Sequence, residues 1–333
     1  MTILDPALSR RGLLRYGSMA AAAGLIGLNA RPSLAKVDMP ANQVPYFYRF
    51  KLGDASATIV SDGILPLGSP AGAFLGLTQD EIKSQLSDNF LRTDNVVLEQ
   101  NILVINVGDK TVLFDTGMGT QLHPFGPTTG KLMITLKAAG IDPAGVDAVV
   151  MSHAHIDHCG GIMADDGSSN FPNAQFYITQ SDYDYWTNEA TVGPKLKIFY
   201  DQAVKNLKPN LAKIHFVKDH EEFLPGITAI YAPGHTVGHT IFMINAGKAS
   251  MCYIGDLTHH PVLLMKKPLT QFAYDTDPVM SAQSRVRMLT MLADNKIPVL
   301  AYHFAWPGVG HVVRDGDGFR YLPAPMEIMT LPS

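Results

Sequence analysis

The stretch MSHAHIDHCGG at 151–161 sets three of the chain's 12 histidines and an aspartate within six positions. Imidazoles and a carboxylate so crowded repel one another on protonation and compete for hydrogen-bond partners in any ordinary interior. A fold that carries them has to satisfy them, and a metal ion does so. His153 and His155 are two apart, so an extended segment points them the same way. Asp157 and His158 are adjacent and share that direction only if the chain turns. A loop leading from a strand into a helix, relaxed by Gly160 and Gly161, sends the first pair to one ion and the second pair to another. The spacing therefore predicts two clusters, each of which needs ligands from elsewhere in the chain.

The rest of the chain says where those ligands stand. Apolar and alternating runs predict strands at 57–63, 102–108, 110–117, 148–153, 175–179, 227–234, 240–247, 249–256 and 297–303. Helical periodicity covers 78–88, 129–140, 181–190, 193–207 and 278–295, with Gly140 and Asn295 as C-terminal stops. Strands in both halves with helices between them predict two sheets packed face to face and covered by helices. Asp115, His153, His235, Asp256 and His303 each stand at or just past the end of an apolar run, where a rigid scaffold holds side chains in place. The segments APGHTVGHT, IGDLTHH and AYHFAWPGVGHV thus offer His235, Asp256 and His303.

SRRGLL (9–14) precedes an apolar run from Gly17 to Leu28 that is too short to span a bilayer, and Ser33-Leu34-Ala35 supplies small residues for cleavage. Residues 1–35 are expected to be a twin-arginine export signal, with a periplasmic or secreted destination and no stable membrane association after processing. An uncleaved N-terminal anchor is the alternative. The remaining 36–333 read as one catalytic domain, because no Pro/Ser-rich linker or composition shift divides them. That part holds 22 basic and 29 acidic residues, a net charge of −7, which argues against a nucleic-acid partner. With only Cys159 and Cys252, no disulfide framework supports the fold, and both read as small buried hydrophobes.

His-x-His-x-Asp-His, then PGHT (233–236), GD (255–256), a histidine after a late strand and LFDTG (113–117) upstream resemble the metallo-β-lactamase superfamily over nearly all of the mature chain. Within it, FGPTTGKLMITLKAAG (125–140), SDYDYWTNEA (181–190) and HFAWPGVGHV (303–312) resemble methyl parathion hydrolase and its lactonase and arylesterase relatives, whereas GDLTHHP (255–261) departs from that pattern. The resemblance implies an α/β fold of αββα sandwich type, with two mixed β-sheets packed face to face and helices outside. It implies two divalent ions, zinc first: His153, His155 and His235 on one, Asp157, His158 and His303 on the other, and Asp256 bridging both. Relatives of this kind are often homodimers, while the residues themselves leave the oligomeric state open. Phe125, Trp186 and Phe199 fall in segments resembling those that line the hydrolase's substrate pocket, with ordinary core packing as the competing reading.

A secreted hydrolase of lactones, aryl esters or organophosphate triesters follows, with a hydroxide generated between the ions as nucleophile. Asp157 and Asp256 are the residues placed to move the proton, and the sequence leaves the choice open. An iron-dependent redox enzyme of the same superfamily is the alternative, opposed by His155, which stands where the diiron branch places a glutamate. A β-lactamase fits less well, since the position of Asp256 there is not a bridging aspartate. A metal-binding protein without catalysis would leave the predicted pocket unused. His239 and Asp115 are expected to bond to ligand loops or ligand histidines. His311, His123, His215 and His220 read as structural. For His259 and His260 two roles stay open, facing the substrate or capping a turn.

Overall fold

The computed structural model describes residues 46–120 and 126–326. The expected signal peptide, His123 and Phe125 lie outside the described residues. The first half of the chain contributes strands β1 (Phe47–Leu52), β2 (Ala55–Gly68), β3 (Phe74–Leu75), β4 (Val96–Val107), β5 (Lys110–Phe114), β6 (Ala148–Val150), β7 (Gln175–Thr179) and β8 (Ile214–Val217). The second half contributes β9 (Glu222–Leu224), β10 (Ile227–Tyr231), β11 (Thr240–Ala246), β12 (Ala249–Tyr253), β13 (Gln271–Phe272), β14 (Pro298–Leu300), β15 (Val309–Asp315) and β16 (Gly318–Pro323). They form two seven-stranded sheets, ordered β1-β2-β4-β5-β6-β7-β8 and β16-β15-β14-β12-β11-β10-β9, and a small ribbon of β3 and β13. Both large sheets are mixed. β5 through β8 run parallel to one another, as do β12 and β14, and the other neighbours are antiparallel. Parallel neighbours need long crossovers, which the helices Leu132–Ala138, Gln180–Trp186 and Lys197–Leu207 provide.

Alternation along the strands decides which side faces what. In β11 and β12, Phe242, Ile244, Met251 and Tyr253 join the core shared with the first sheet, while Ile241 and Cys252 turn to a second core with Met288, Leu289 and Leu292 of the helix Pro278–Asp294. Phe114 of the first sheet meets Phe242 and Tyr253 of the second at ring separations of 5.6 and 5.1 Å. Each such ring, fully buried, contributes about 1.5–3 kcal/mol. The αββα sandwich expected from the sequence is the fold observed. Among the described residues no helix is long and apolar enough to cross a membrane.

Besides the run at 110–117, which ends at Phe114, four expected strands run well past the ladder. The runs at 148–153, 227–234, 249–256 and 297–303 leave the ladder at Val150, Tyr231, Tyr253 and Leu300. The residues meant to bind metal, His153, Asp256 and His303 at the ends of three of these runs and His235 just past the fourth, sit in loops. Register aligns two of them: Tyr253 pairs with Leu300, so Asp256 and His303 each lie three residues beyond a matched position on parallel neighbours.

Candidate metal centre

The 151–159 segment turns where the sequence predicted. His155, in extended backbone, caps the single helical turn Ile156–Cys159, whose His158 and Cys159 amides donate to the His155 carbonyl. His153 and His155 therefore project from an extended run, and Asp157 and His158 from the turn that follows. Gly160 does more than relax the loop: a Cβ there would overlap the carbonyl oxygens of Ile156 and Met118, so glycine lets the turn pack on the neighbouring strand end.

Among the described residues four overlapping groups of ligand-type side chains result, two of which, His153–His158–Asp256 and His235–Asp256–His259, contain Asp256. His153, His155 and His235 bring donor atoms within 4.8 Å of one another, and Asp157, His158 and His303 do the same. Asp256 lies between them: its Oδ2 is 3.2 Å from His235 Nε2 and 3.2 Å from His303 Nε2, and its Oδ1 is 3.2 Å from His158 Nε2. All seven side chains are buried. The structure thus brings together every ligand named from the sequence.

The ring nitrogens turned away from this centre are held. His158 Nδ1 donates to Asp115 at 2.8 Å, His235 Nδ1 to Asp275 at 2.9 Å and His303 Nδ1 to the Glu99 carbonyl at 2.8 Å. Ser152 Oγ receives His153 Nδ1 at 3.0 Å and passes its own proton to Asp115 at 2.8 Å. Each imidazole so anchored aims its Nε2 lone pair inward. There, Nε2 of His153, His158 and His235 and Oδ1 of Asp256 have no hydrogen-bond partner. A buried polar atom left unpaired costs about 1–3 kcal/mol, so four in one place fit divalent ions bound by nitrogen and carboxylate oxygen.

Electrostatics of the metal-free cluster follow from burial and crowding. Burial and the neighbouring His158 hold His153 well below the ordinary imidazole range, and burial with His235 does so for His155. Burial also opposes charge on His158, but the carboxylates of Asp256, Asp157 and Asp115 outweigh it and raise that imidazole well above its ordinary value. For Asp256, the desolvation that favours the neutral acid is overcome by His158, His303 and His259, so the carboxylate stays ionised.

Asp115, at φ 61°, accepts from Ser152 N, Ser152 Oγ, His158 Nδ1 and the Tyr253 hydroxyl, so it supports both the motif loop and a ligand histidine. Asp and Asn tolerate that left-handed conformation better than most residues. His239 donates from Nδ1 to the Ala232 carbonyl and accepts the Asp256 amide at Nε2, both at 3.0 Å, joining two ligand loops. The two roles left open for His259 and His260 divide between them. His259 is buried against Phe272, rings 4.0 Å apart, with Nε2 2.9 Å from Asp256 Oδ2. His260 Nδ1 accepts the amides of Val262 and Leu263, capping the next turn. His215 and His220 are exposed and remote, and both cysteines are buried thiols pushed up in pKa by desolvation.

A cavity opens over the centre. Its floor holds His155, Asp157, His235, Asp256, His259 and His303; its wall is Leu65, Leu67, Leu98, Met118, Phe199, Phe272 and Tyr274. Phe199 lines it as expected. Trp186 does not: it is fully buried behind His155, rings 4.7 Å apart, where it stiffens the ligand rather than meeting substrate. A larger groove around Lys266, Leu269 and Gly318 contains none of the ligand clusters.

Several supporting residues escaped the sequence reading. Asp62 accepts the amides of Met118, Gly130 and Leu132 and so fixes a wall residue, with burial lifting its pKa to about 6. Asp275 and buried Arg285, which bonds the carbonyls of Leu257, Pro268 and Thr270, brace His235 and the loop after Asp256. No local motif marks any of them; the distance in sequence to their partners hides them.

Comparison with known proteins agrees with this geometry. The sequence model of the metallo-beta-lactamase superfamily matches residues 96–299. The N-acyl homoserine lactonase AttM of Azorhizobium caulinodans is 31% identical over 121 residues, 34% of this chain and 41% of that protein. The AttM of Agrobacterium fabrum is 35% identical over 112 residues, 33% of this chain and 40% of that protein, so the chain spans about two fifths of the length of these curated relatives. The structure of AidC, a dizinc quorum-quenching lactonase in complex with a product, superposes with a TM-score of 0.80 at 29% identity, covering 87% of this chain and 100% of AidC.

Proposed function

The chain belongs to the metallo-beta-lactamase superfamily, and from that premise we propose a metal-dependent hydrolase that opens neutral, apolar lactones or esters. One observation carries the reading: the unpartnered Nε2 atoms of His153, His158 and His235 converge with Asp256, and His235 and Asp256 form part of the floor of a cavity with an apolar wall. His153, His155 and His235 would hold one ion, Asp157, His158 and His303 a second, with Asp256 shared. Divalent ions held there supply Lewis acidity and make water acidic enough to ionise near neutral pH. The similarity to a dizinc lactonase supports zinc and a count of two.

The remaining work falls to side chains. Asp256 is crowded among Nε2 atoms of His158, His235, His259 and His303, all within 3.2 Å. Asp157 is more open to the cavity, its side chain 10% exposed against 3% for Asp256, which favours Asp157 as the proton carrier. His259, whose pKa burial depresses to about 4, is neutral at pH 7 and is placed beside the floor to meet a substrate oxygen.

Substrate class follows from the wall. None of the described lining residues is Lys or Arg, so a substrate carboxylate or phosphate monoester finds no cationic side chain there. A β-lactam, which carries a carboxylate, is disfavoured on that ground, whereas an acyl lactone, an aryl ester or a phosphotriester is uncharged. The arginine pair and apolar run at 9–28 support export ahead of this activity. A panel of acyl-homoserine lactones, dihydrocoumarin, nitrophenyl esters and methyl parathion tests the reading. Turnover of at least one member, lost on chelation and restored by zinc, is expected. Failure of metal-replete protein to turn over any member would overturn it.

A further inference from the structure

Besides Asp275, two buried carboxylates stand behind the ligand loops, and only Asp115 belongs to a recognisable motif. The other is Asp182, in the first turn of the helix Gln180–Trp186. An acidic residue at that position commonly serves its own helix end. Here Thr179 fills that role, its Oγ1 accepting the Asp182 amide at 3.3 Å, and the Asp182 carboxylate reaches sideways instead.

Its Oδ2 accepts the Ala154 amide at 2.7 Å and its Oδ1 the Gly238 amide at 2.8 Å. Ala154 separates His153 from His155. Gly238 follows His235 by three residues on the other ligand loop. Thr179 Oγ1 donates to the Gly238 carbonyl at 3.1 Å, and a Cβ at position 238 would overlap Thr179 Oγ1 and press on Ser181 Oγ and Asp182 Cβ. The second loop is therefore drawn against the helix as closely as glycine alone permits. Burial raises the pKa of Asp182 and opposes its charge, while the two amides act the other way.

We infer that Asp182 is a positioning residue for one of the two ions: it sets the separation of the 153–155 and 235–239 loops, and with it the convergence of His153, His155 and His235. The inference rests on the two-ion reading above. It predicts that losing Asp182 weakens that ion selectively, because the ligands themselves remain and only their spacing is released.

The test is equilibrium titration of chelated protein with Co²⁺, followed through its visible bands and paired with thermal melts. The wild type, Asp182→Ala, Gly238→Ala and Asp184→Asn are compared, with His155→Ala and His303→Ala as references for losing either ion. Wild type should bind two ions. Asp182→Ala and Gly238→Ala should each weaken one by about 10- to 100-fold, leaving a spectrum that matches His155→Ala. Asp184, exposed on the same helix and bonded only to Gln180, should behave as wild type when changed to Asn. Unchanged binding in Asp182→Ala, equal weakening of both ions with a lower Tm, or a spectrum matching His303→Ala would overturn the inference. A wild type that binds one ion would instead overturn the two-ion reading, and this inference with it.

Discussion

The floor and the wall of the cavity are built differently. On the floor and beneath it, seven buried polar side chains come from four loops, and His153, His158, His235 and His303 are each fixed by a hydrogen bond behind the ring. The wall is aliphatic and aromatic, drawn from β2, β4, the loop after β5, the helix Lys197–Leu207 and the segment around β13. Directional bonds leave the floor one arrangement, whereas contact among apolar groups tolerates substitution at similar volume. Chemistry should therefore be brittle to changes below, and selectivity adjustable by changes above.

The contrast can be broken in order of severity. Asp256→Ala removes a carboxylate that lies against both clusters, and kcat/KM should fall on the order of 10⁴-fold or more with loss of full metal occupancy. His220→Ala, exposed and remote, should leave both unchanged; equal activity in the two variants would contradict the site. Asp115→Asn turns an amide N–H₂ toward the His158 Nδ1–H, and metal affinity or activity should drop about 10- to 100-fold while the wall stays intact. Phe199→Ala should raise KM for long-chain or aryl substrates by about tenfold with kcat little altered. A comparable loss in kcat would mean that the wall also steers the chemistry.

The mildest effect concerns pH. In metal-free protein, burial lowers His235 but Asp256 and Asp275 outweigh it, raising the imidazole to about 9. A raised folded pKa contributes stability that is complete below about pH 6.5 and disappears as pH climbs through about 9. Chelated protein should lose several degrees of Tm across that window. Zinc-loaded protein should not, because a ligand imidazole is already neutral. Parallel melting curves for the two forms would remove His235 from the ligand set.

Sequence pattern reached the middle of this molecule and faded toward its edges. The run at 175–179 matches β7 residue for residue, and the buried β5, β6, β11 and β12 were visible because continuous apolar runs mark strands covered on both faces. β1, β8, β9, β15 and β16 were missed; their half-exposed residues follow no clean alternation. The candidate ligands were legible because a metal-binding pattern concentrates rare residue types at short spacings. Asp62, Asp182, Asp275 and Arg285 were not, since each is a common residue whose role exists only through backbone amides, carbonyls or a histidine brought close by the fold. Trp186 falls on the competing reading: a segment that resembles a pocket lining places its largest ring in the core behind His155.

Diffraction from crystals of zinc-loaded protein, with anomalous differences collected at the zinc edge, bears most directly on the floor. Two peaks are predicted on either side of Asp256, one within bonding reach of His153, His155 and His235 and the other of Asp157, His158 and His303. A single peak, or zinc bound away from these side chains, would contradict the account.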